Sequence, residues 1–494
     1  MKTQKYILAI DQGTTGTHVL VIDAKLRVHG TAYRELRQYF PKPGWVEHDL
    51  NEIWHSSLDC VERALRNARV PAKAIAAIGI TNQRETTGLW RRDGGKPIRR
   101  AIVWQDRRTA DRCSSLKSQG LEPRVRAITG LVLDPYFSGT KLAWLLEDDD
   151  QARAAAERGE LCFGTVDSWL VYKLTGHRTH LTDVSNASRT LLMNLRTLSW
   201  DPEMLALFDI PRQVLPEIRG SAEIYGTTLG VRPLPDGIPV AGMAGDQQAA
   251  LFGQACFSPG EAKCTYGTGA FLLMNTGEVP VESHAGLLTT VGWRLFGRTV
   301  YALEGSAFVA GAAVQWLRDG LGLIKSAPEV EKLARKVDDT GALVFVPALT
   351  GLGAPHWRPD SRGLLAGIDR STSAGHLARA VLEGIAFQIH DLARAMTEDS
   401  GREIPAFKVD GGASANGLLM QFQADLLGTD VVRPKNLQTT SLGAAFLAGL
   451  GSGVWKNEDE IRGAWKVGRH FRPKMSAEDR ERHLTKWRQA LQRV

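Results

Sequence analysis

Halfway along the 494-residue chain, Gly245-Asp246-Gln247-Gln248 sets a carboxylate beside amides directly after the apolar run 238–243, which reads as a strand. A carboxylate there can take the proton of a hydroxyl that attacks a phosphorus atom. The same residues suit a helix N-cap, since Asp accepts the free N–H groups of a first turn. Two other apolar runs end in chemistry of a related kind: 74–81 in Asn82-Gln83-Arg84-Glu85, and 101–103 in Trp104-Gln105-Asp106-Arg107-Arg108. Ligands of α/β sheets bind beyond the carboxyl ends of strands, so these residues predict a shared pocket with polar and aromatic walls. A surface ion pair at Arg84-Glu85 is the plainer alternative. Tyr136 lies in a loop that enters a helix carrying Trp144 and Leu145, and reads as a ligand contact or a core tyrosine.

Phosphate chemistry is written twice. Asp11-Gln12-Gly13-Thr14-Thr15-Gly16-Thr17 separates the runs 6–10 and 19–22, a strand, a tight turn and a strand. Such a turn offers backbone N–H groups and hydroxyls to phosphate oxygens, and Asp11 at its mouth can hold magnesium through water. An ordinary hairpin shares this pattern. In the second half, 262–266, Gly267-Thr268-Gly269 and 271–274 repeat it. The recurrence predicts a duplicated architecture with two phosphate loops facing one another across a cleft. Farther on, 407–410 runs into Gly411-Gly412-Ala413-Ser414-Ala415-Asn416 and a helix. Glycines between a strand and a helix let a nucleotide approach the helix's positive end, although a packing turn has the same composition.

The elements that position these residues follow from periodicity. Ile53, Leu58, Val61 and Leu65 mark a helix with Asn51 as its cap, and apolar residues from Leu377 to Met396 mark a longer one stopped at Gly401. Ser441-Leu442-Gly443-Ala444-Ala445 predicts a helix packed closely on a neighbour. The tail opens with a capping box, Ser476 with Asp479, and places Leu484, Trp487 and Leu491 on one face among basic residues, to dock on its own domain rather than on a partner or an anionic surface. His177 and His180 read as loop residues.

Composition bounds the class. The length predicts two large domains or a few smaller ones, and 43% hydrophobic with 23% charged residues is ordinary for a soluble globular protein. The charge of +7 is a small excess of 61 basic over 54 acidic residues, spread along the chain, and argues against a nucleic-acid partner. Five cysteines without a Cys-x-x-Cys pair fit neither a disulfide framework nor a zinc site, and point to a reducing cytoplasm. Neither a signal peptide nor an apolar run of about eighteen residues is present, so no membrane segment is expected. A P-loop with Gly-Lys-Ser/Thr is also absent.

The stretches 41–49 (PKPGWVEHD), 79–87 (GITNQRETT) and 245–253 (GDQQAALFG), with 136–145 and 363–383, carry a wider likeness. Through them nearly the whole chain resembles the glycerol-phosphorylating members of the FGGY carbohydrate kinase family. The resemblance implies two actin-like, ribonuclease H-like α/β domains hinged around a deep catalytic cleft, here 1–252 and 253–494. It implies that Arg84, Glu85, Tyr136, Asp246 and Gln247 bind glycerol hydroxyls while Trp104 and Phe271 cover its carbons. It implies nucleotide contacts at Thr14, Thr15, Thr268, Gly311, Gln315, Gly412 and Asn416, and magnesium near Asp11 and Asp246. The implied activity is transfer of the ATP γ-phosphoryl group to glycerol with Asp246 as base, in a cytoplasmic homo-oligomer, dimer or tetramer.

Two departures stand out. Where the family's pattern has Ser and Arg, this chain has Gly16 and His18, removing a hydroxyl and a permanent cation beside the phosphates and leaving a group that titrates near neutrality. The loop 229–237 lacks the glycine-rich, Arg-ending pattern of members inhibited by a sugar bisphosphate, so that regulation is not expected. Competing readings are a kinase for another polyol or sugar, such as xylulose or gluconate, and an actin-like nucleotide-binding protein that transfers no phosphate. Arg84-Glu85, Trp104 and Tyr136 favour the small polyol, and a scaffold has no need of Asp246.

Overall fold

The computed structural model describes residues 5–358 and 360–494. Two mixed sheets are built on one plan. In the first, strand Tyr6–Gln12 pairs antiparallel with Gly16–Asp23, which pairs antiparallel with Val28–Glu35. On its other side Tyr6–Gln12 runs parallel to Ile75–Asn82, and that strand runs parallel to Pro239–Gly245. In the second, Ala262–Tyr266 pairs antiparallel with Ala270–Gly277, and this with Arg298–Ala307. Ala262–Tyr266 is parallel to Phe407–Asp410, followed by parallel Val431–Pro434. The repeated Gly-Thr turns are thus the first hairpins of two equivalent sheets, as the recurrence predicts.

The first strand is apolar from Tyr6 to Ile10, before Asp11 and Gln12 at its end, because both faces of that stretch are covered. Leu8 and Ile10 join a core with helix Leu50–Ala68, while Ile7 and Ala9 join another with Leu442, Ala445 and Leu447 of helix Thr439–Gly451. This last helix follows a strand of the second sheet, yet it lies on the first, against helix Asp246–Gly253. Its closeness depends on missing side chains. A Cβ at Gly443 would stand 1.8 Å from the Ala249 carbonyl oxygen, and one at Gly79 would stand 2.1 Å from that of Ala444.

Helix ends refine the expected boundaries. The cap of Leu50–Ala68 is Asp49, whose carboxylate accepts the Asn51 N–H at 2.7 Å, so Asn51 lies inside the helix. Helix Ala374–Ser400 stops at Gly401, in the left-handed conformation with φ 62°. The C-terminal helix Ala477–Leu491 starts at Ser476 and seats Trp487 parallel to Phe387, with its Nε1–H donated to Asp391. His177 stacks on Tyr172, and His180 bonds the Phe163 carbonyl. Among the described residues, no helix is long and apolar enough to cross a membrane.

A Gly443→Ala substitution is expected to destabilise the fold by about 1–3 kcal/mol or more, because its methyl meets backbone on an adjacent helix. Gly412→Ala, whose Cβ meets no atom within 4 Å, should leave the thermal midpoint unchanged. Equal midpoints for the two variants would show that the seating of helix Thr439–Gly451 is looser than its packing requires.

Candidate functional site

Arg84 and Glu85 lie just past strand Ile75–Asn82, and both are almost wholly buried. The adjacent pair is not a surface ion pair, nor is either residue the other's main partner. Arg84 forms a forked pair with Glu304 of strand Arg298–Ala307, from the second sheet. Arg189 donates from Nε to Glu85 at 2.7 Å and from Nη2 to Glu304 at 2.9 Å. Two guanidinium groups and two carboxylates thereby neutralise each other out of water. Glu85 holds its place with a left-handed backbone, φ 60°, a strained conformation for a residue with a side chain.

The quartet supports the polar groups around it. Arg84 Nη2 donates to the Tyr136 hydroxyl at 3.2 Å, Nη1 to Gln248 at 3.3 Å, and Nε lies 3.3 Å from the Asp246 carboxylate. Tyr136 is kept in place by Lys141, one turn into the following helix Ser138–Glu147. Its buried ammonium group donates to the carbonyls of Pro135 and Tyr136 at 2.6 Å and Phe137 at 3.1 Å. Burial pushes the Lys141 pKa down to about 8. Trp104 packs edge-on to Tyr136 with ring centroids 5.5 Å apart, and its Nε1–H reaches the Thr14 hydroxyl at 2.8 Å. This aromatic pair is therefore bonded directly to the first Gly-Thr turn.

Asp246 is the first residue of its helix and Gly245 the cap, one position earlier than a capping Asp would place it. Its Oδ1 still accepts the Gln247 N–H at 2.7 Å. About a third of the side chain, 31%, is open. The surrounding protein nevertheless strips enough hydration to raise its pKa, with Arg84 and Lys263 pulling the other way. The Gln247 side-chain oxygen is taken by the buried ammonium group of Lys263 at 2.5 Å, and Lys263 also donates to Thr265. Phe271, half-buried, is paired in register with Thr265 on the neighbouring strand.

In the second Gly-Thr turn, the Gly267 and Thr268 carbonyls accept N–H groups from Gly311 and Ala312, fixing this turn to the start of helix Gly311–Gln315. Thr268 and Gln315 are exposed. Gly411, with φ 83° and Tyr266 backbone 2.5 Å from where its Cβ would be, is required by the protein itself, whereas Gly412 faces open space. Asn416 caps helix Gly417–Leu427, its Oδ1 accepting the Leu419 N–H at 2.9 Å, which leaves its amide donors for other partners.

In the first turn Thr15 is exposed and Thr14 half-buried. Gly16 has no room for a side chain, since a Cβ would stand 2.5 Å from the Tyr33 hydroxyl. His18 does not stand free beside this turn as a cation. Its Nδ1 lies 3.1 Å from the Ser441 hydroxyl and its Nε2 3.3 Å from the Gln438 amide, and burial lowers its pKa, so the ring is neutral at pH 7. Ser441 donates in turn to Asp11 at 2.7 Å.

Glu304, Arg189, Gln248, Lys263 and Lys141 complete the site without forming a motif. The available signal was a charged residue inside an apolar strand, as in Val300-Tyr301-Ala302-Leu303-Glu304 and Ala262-Lys263-Cys264. Burial would raise the Glu304 pKa, but the charges of Arg189 and Arg84 overcome it and hold the group at about 2. Its ionised form therefore stabilises the fold above its ordinary 4.5, and this contribution is lost as pH falls through about 2. Glu304→Gln should cost about 3–5 kcal/mol in urea denaturation at pH 7, and the gap from the parent should narrow between pH 4.5 and 2. A gap independent of pH would show that the charge is not what stabilises the parent.

The family model for the N-terminal domain of the FGGY family of carbohydrate kinases matches residues 6–253, and that for its C-terminal domain matches 262–452. The chain is 68% identical to the glycerol kinase of Myxococcus xanthus and 55% identical to that of Deinococcus radiodurans. These alignments cover all of this chain and 100% and 98% of those proteins. The crystal structure of Plasmodium falciparum glycerol kinase with ADP superposes with a TM-score of 0.94 at 38% identity, covering 99% of this chain and 98% of that one. A gluconate kinase from Lactobacillus acidophilus, at 21% identity and a TM-score of 0.88, shares the fold. With both family models matched in order and relatives aligned end to end, this two-domain α/β chain belongs to the FGGY family of carbohydrate kinases.

Proposed function

We propose that the protein transfers the γ-phosphoryl group of ATP to a terminal hydroxyl of glycerol, releasing ADP and glycerol 3-phosphate. The observation that carries this reading is Asp246, about a third exposed and 3.3 Å from the buried Arg84, whose partner Tyr136 packs against Trp104, itself bonded to Thr14 of the first Gly-Thr turn. Full-length likeness to glycerol kinases supports glycerol as the acceptor.

In this reading Arg84, Glu85, Tyr136 and Gln247 give paired donors and acceptors to the glycerol hydroxyls, and Trp104 and Phe271 shield its CH groups. Asp246 accepts the proton of the attacking hydroxyl as that oxygen bonds to the γ-phosphorus and the bond to the β-phosphate oxygen breaks. Thr14, Thr15, Gly16 and Thr268 contact phosphates, and Gly311, Gln315, Gly412 and Asn416 line the nucleotide. Gly412 supports this, because nothing in the protein fills the space beside it.

Magnesium fits the residues present. Among the described residues, no three His, Cys, Asp or Glu form a metal cage. Burial lifts the Asp11 pKa to about 7, the Ser441 hydroxyl opposing and the Asp246 charge adding to the rise, so a dication held at Asp11 would offset both burial and repulsion. Magnesium favours such sites, with one or two carboxylates, waters and phosphate oxygens, and when bound it would neutralise charge on the transferred group. The five cysteines, all unpaired and buried, support a cytoplasmic setting; a homo-oligomer belongs to the same reading.

ADP release measured with glycerol, xylulose and gluconate at fixed ATP and magnesium tests the substrate. Turnover with glycerol no faster than with water, alongside turnover of a sugar, would overturn the assignment. Asp246→Asn is expected to lower kcat by about 10²–10⁴ with a smaller change in glycerol binding. Gly412→Leu should fold normally and raise KM for ATP severalfold, while KM for glycerol stays unchanged.

A further inference from the structure

Helix Thr439–Gly451 comes from the second half of the chain, and its first turn ends against acidic groups of both halves. The Thr439 hydroxyl donates to Asp410 at 2.7 Å, just before the Gly411-Gly412 turn. The Ser441 hydroxyl, on a residue only 1% exposed, donates to Asp11 at 2.7 Å, at the mouth of the first phosphate turn. Behind Ser441 stands His18, and behind His18 the Gln438 amide.

The donors in this chain follow one direction. The Gln438 amide N–H is given to His18 Nε2, which must then carry a lone pair. The imidazole proton sits on Nδ1 and is given to the Ser441 oxygen, so the Ser441 O–H is free for the Asp11 carboxylate. Each step spends one donor on one acceptor, and the last acceptor is an Asp11 carboxyl oxygen. Asp11 and His18 are also direct partners in the antiparallel ladder, so the backbone fixes their separation while Ser441 closes the gap from the facing helix.

We propose that Ser441, supported by His18 and Gln438, is a positioning residue for phosphoryl transfer, holding one Asp11 oxygen so that the other is presented to the metal–phosphate side of the reaction. The inference rests on the proposed role of Asp11 beside magnesium. His18 then acts through its neighbours, since the ring orients the serine that orients the carboxylate and does not itself bind phosphate. Because the serine belongs to the helix that joins the halves, Asp11 is set correctly only when that helix is seated.

The test binds Mn2+, as a paramagnetic probe, to the enzyme with ADP, a complex that turns nothing over, and follows free Mn2+ by electron paramagnetic resonance. The parent is compared with Asp11→Asn, Ser441→Ala, Ser441→Thr, His18→Leu and His18→Asn, with thermal midpoints and steady-state kinetics on each. Ser441→Ala and His18→Leu are expected to weaken Mn2+ binding about tenfold and raise KM for Mg-ATP, with KM for glycerol unchanged. Ser441→Thr, which keeps the hydroxyl, and His18→Asn, which keeps a donor near the Nδ1 position, should recover most of the loss. If Asp11→Asn weakens Mn2+ binding while Ser441→Ala leaves it unchanged, the positioning role is overturned and the reading of Asp11 stands. If Asp11→Asn leaves it unchanged, the reading of Asp11 fails and the inference with it. An even loss in midpoint, kcat and both KM values, without recovery in Ser441→Thr, would overturn the proposal in favour of a packing role.

Discussion

Everything at the site depends on four charges kept out of water. Arg84, Arg189, Glu85 and Glu304 are each no more than 2% exposed, and none would be tolerated there alone. Together they cancel, and each pairing fixes a direction. Glu304 takes the outer fork of Arg84, which leaves Nε toward Asp246 and Nη2 at the Tyr136 hydroxyl. Arg189 restrains the carboxylate of Glu85, whose backbone is strained. A pocket for a small polyhydroxylated substrate needs such rigidity, because hydrogen-bonding specificity is lost when donors can turn aside to satisfy one another.

The same contacts explain how two similar sheets make one enzyme. Glu304 brings a carboxylate of the second sheet to an arginine of the first, and Gln248 bonds both Arg84 and the Thr290 hydroxyl. Helix Thr439–Gly451 works from the other side, with bare glycines where backbones meet and Ser441 and Thr439 at its first turn. Chemistry that needs residues from both halves is thus carried by contacts that also define how the halves meet.

The departure at Gly16 and His18 has a local logic in this chain. A methyl at position 16 would collide with Tyr33, and an imidazole at 18 finds two partners in Ser441 and Gln438. In the proposed role, the first turn would offer phosphates backbone N–H groups and threonine hydroxyls, with neutral rather than cationic support behind it.

What the sequence determined by itself was the recurrent and the local. Two strand, Gly-Thr turn, strand units announced two equivalent sheets, and residues past the ends of apolar runs, Arg84, Glu85, Trp104 and Asp246, come together at one site. These signals are readable because strand period, turn chemistry and capping depend on neighbours in the chain, even though a cap can be misplaced by a residue or two, as at Asn51 and Asp246. Tertiary structure alone decided who pairs with whom. Glu304 lies 220 residues from Arg84 and Ser441 430 from Asp11, and nothing in the spacing ties them. A buried charge or hydroxyl is chosen by the partner that replaces its water, and that partner is named only once the chain has folded.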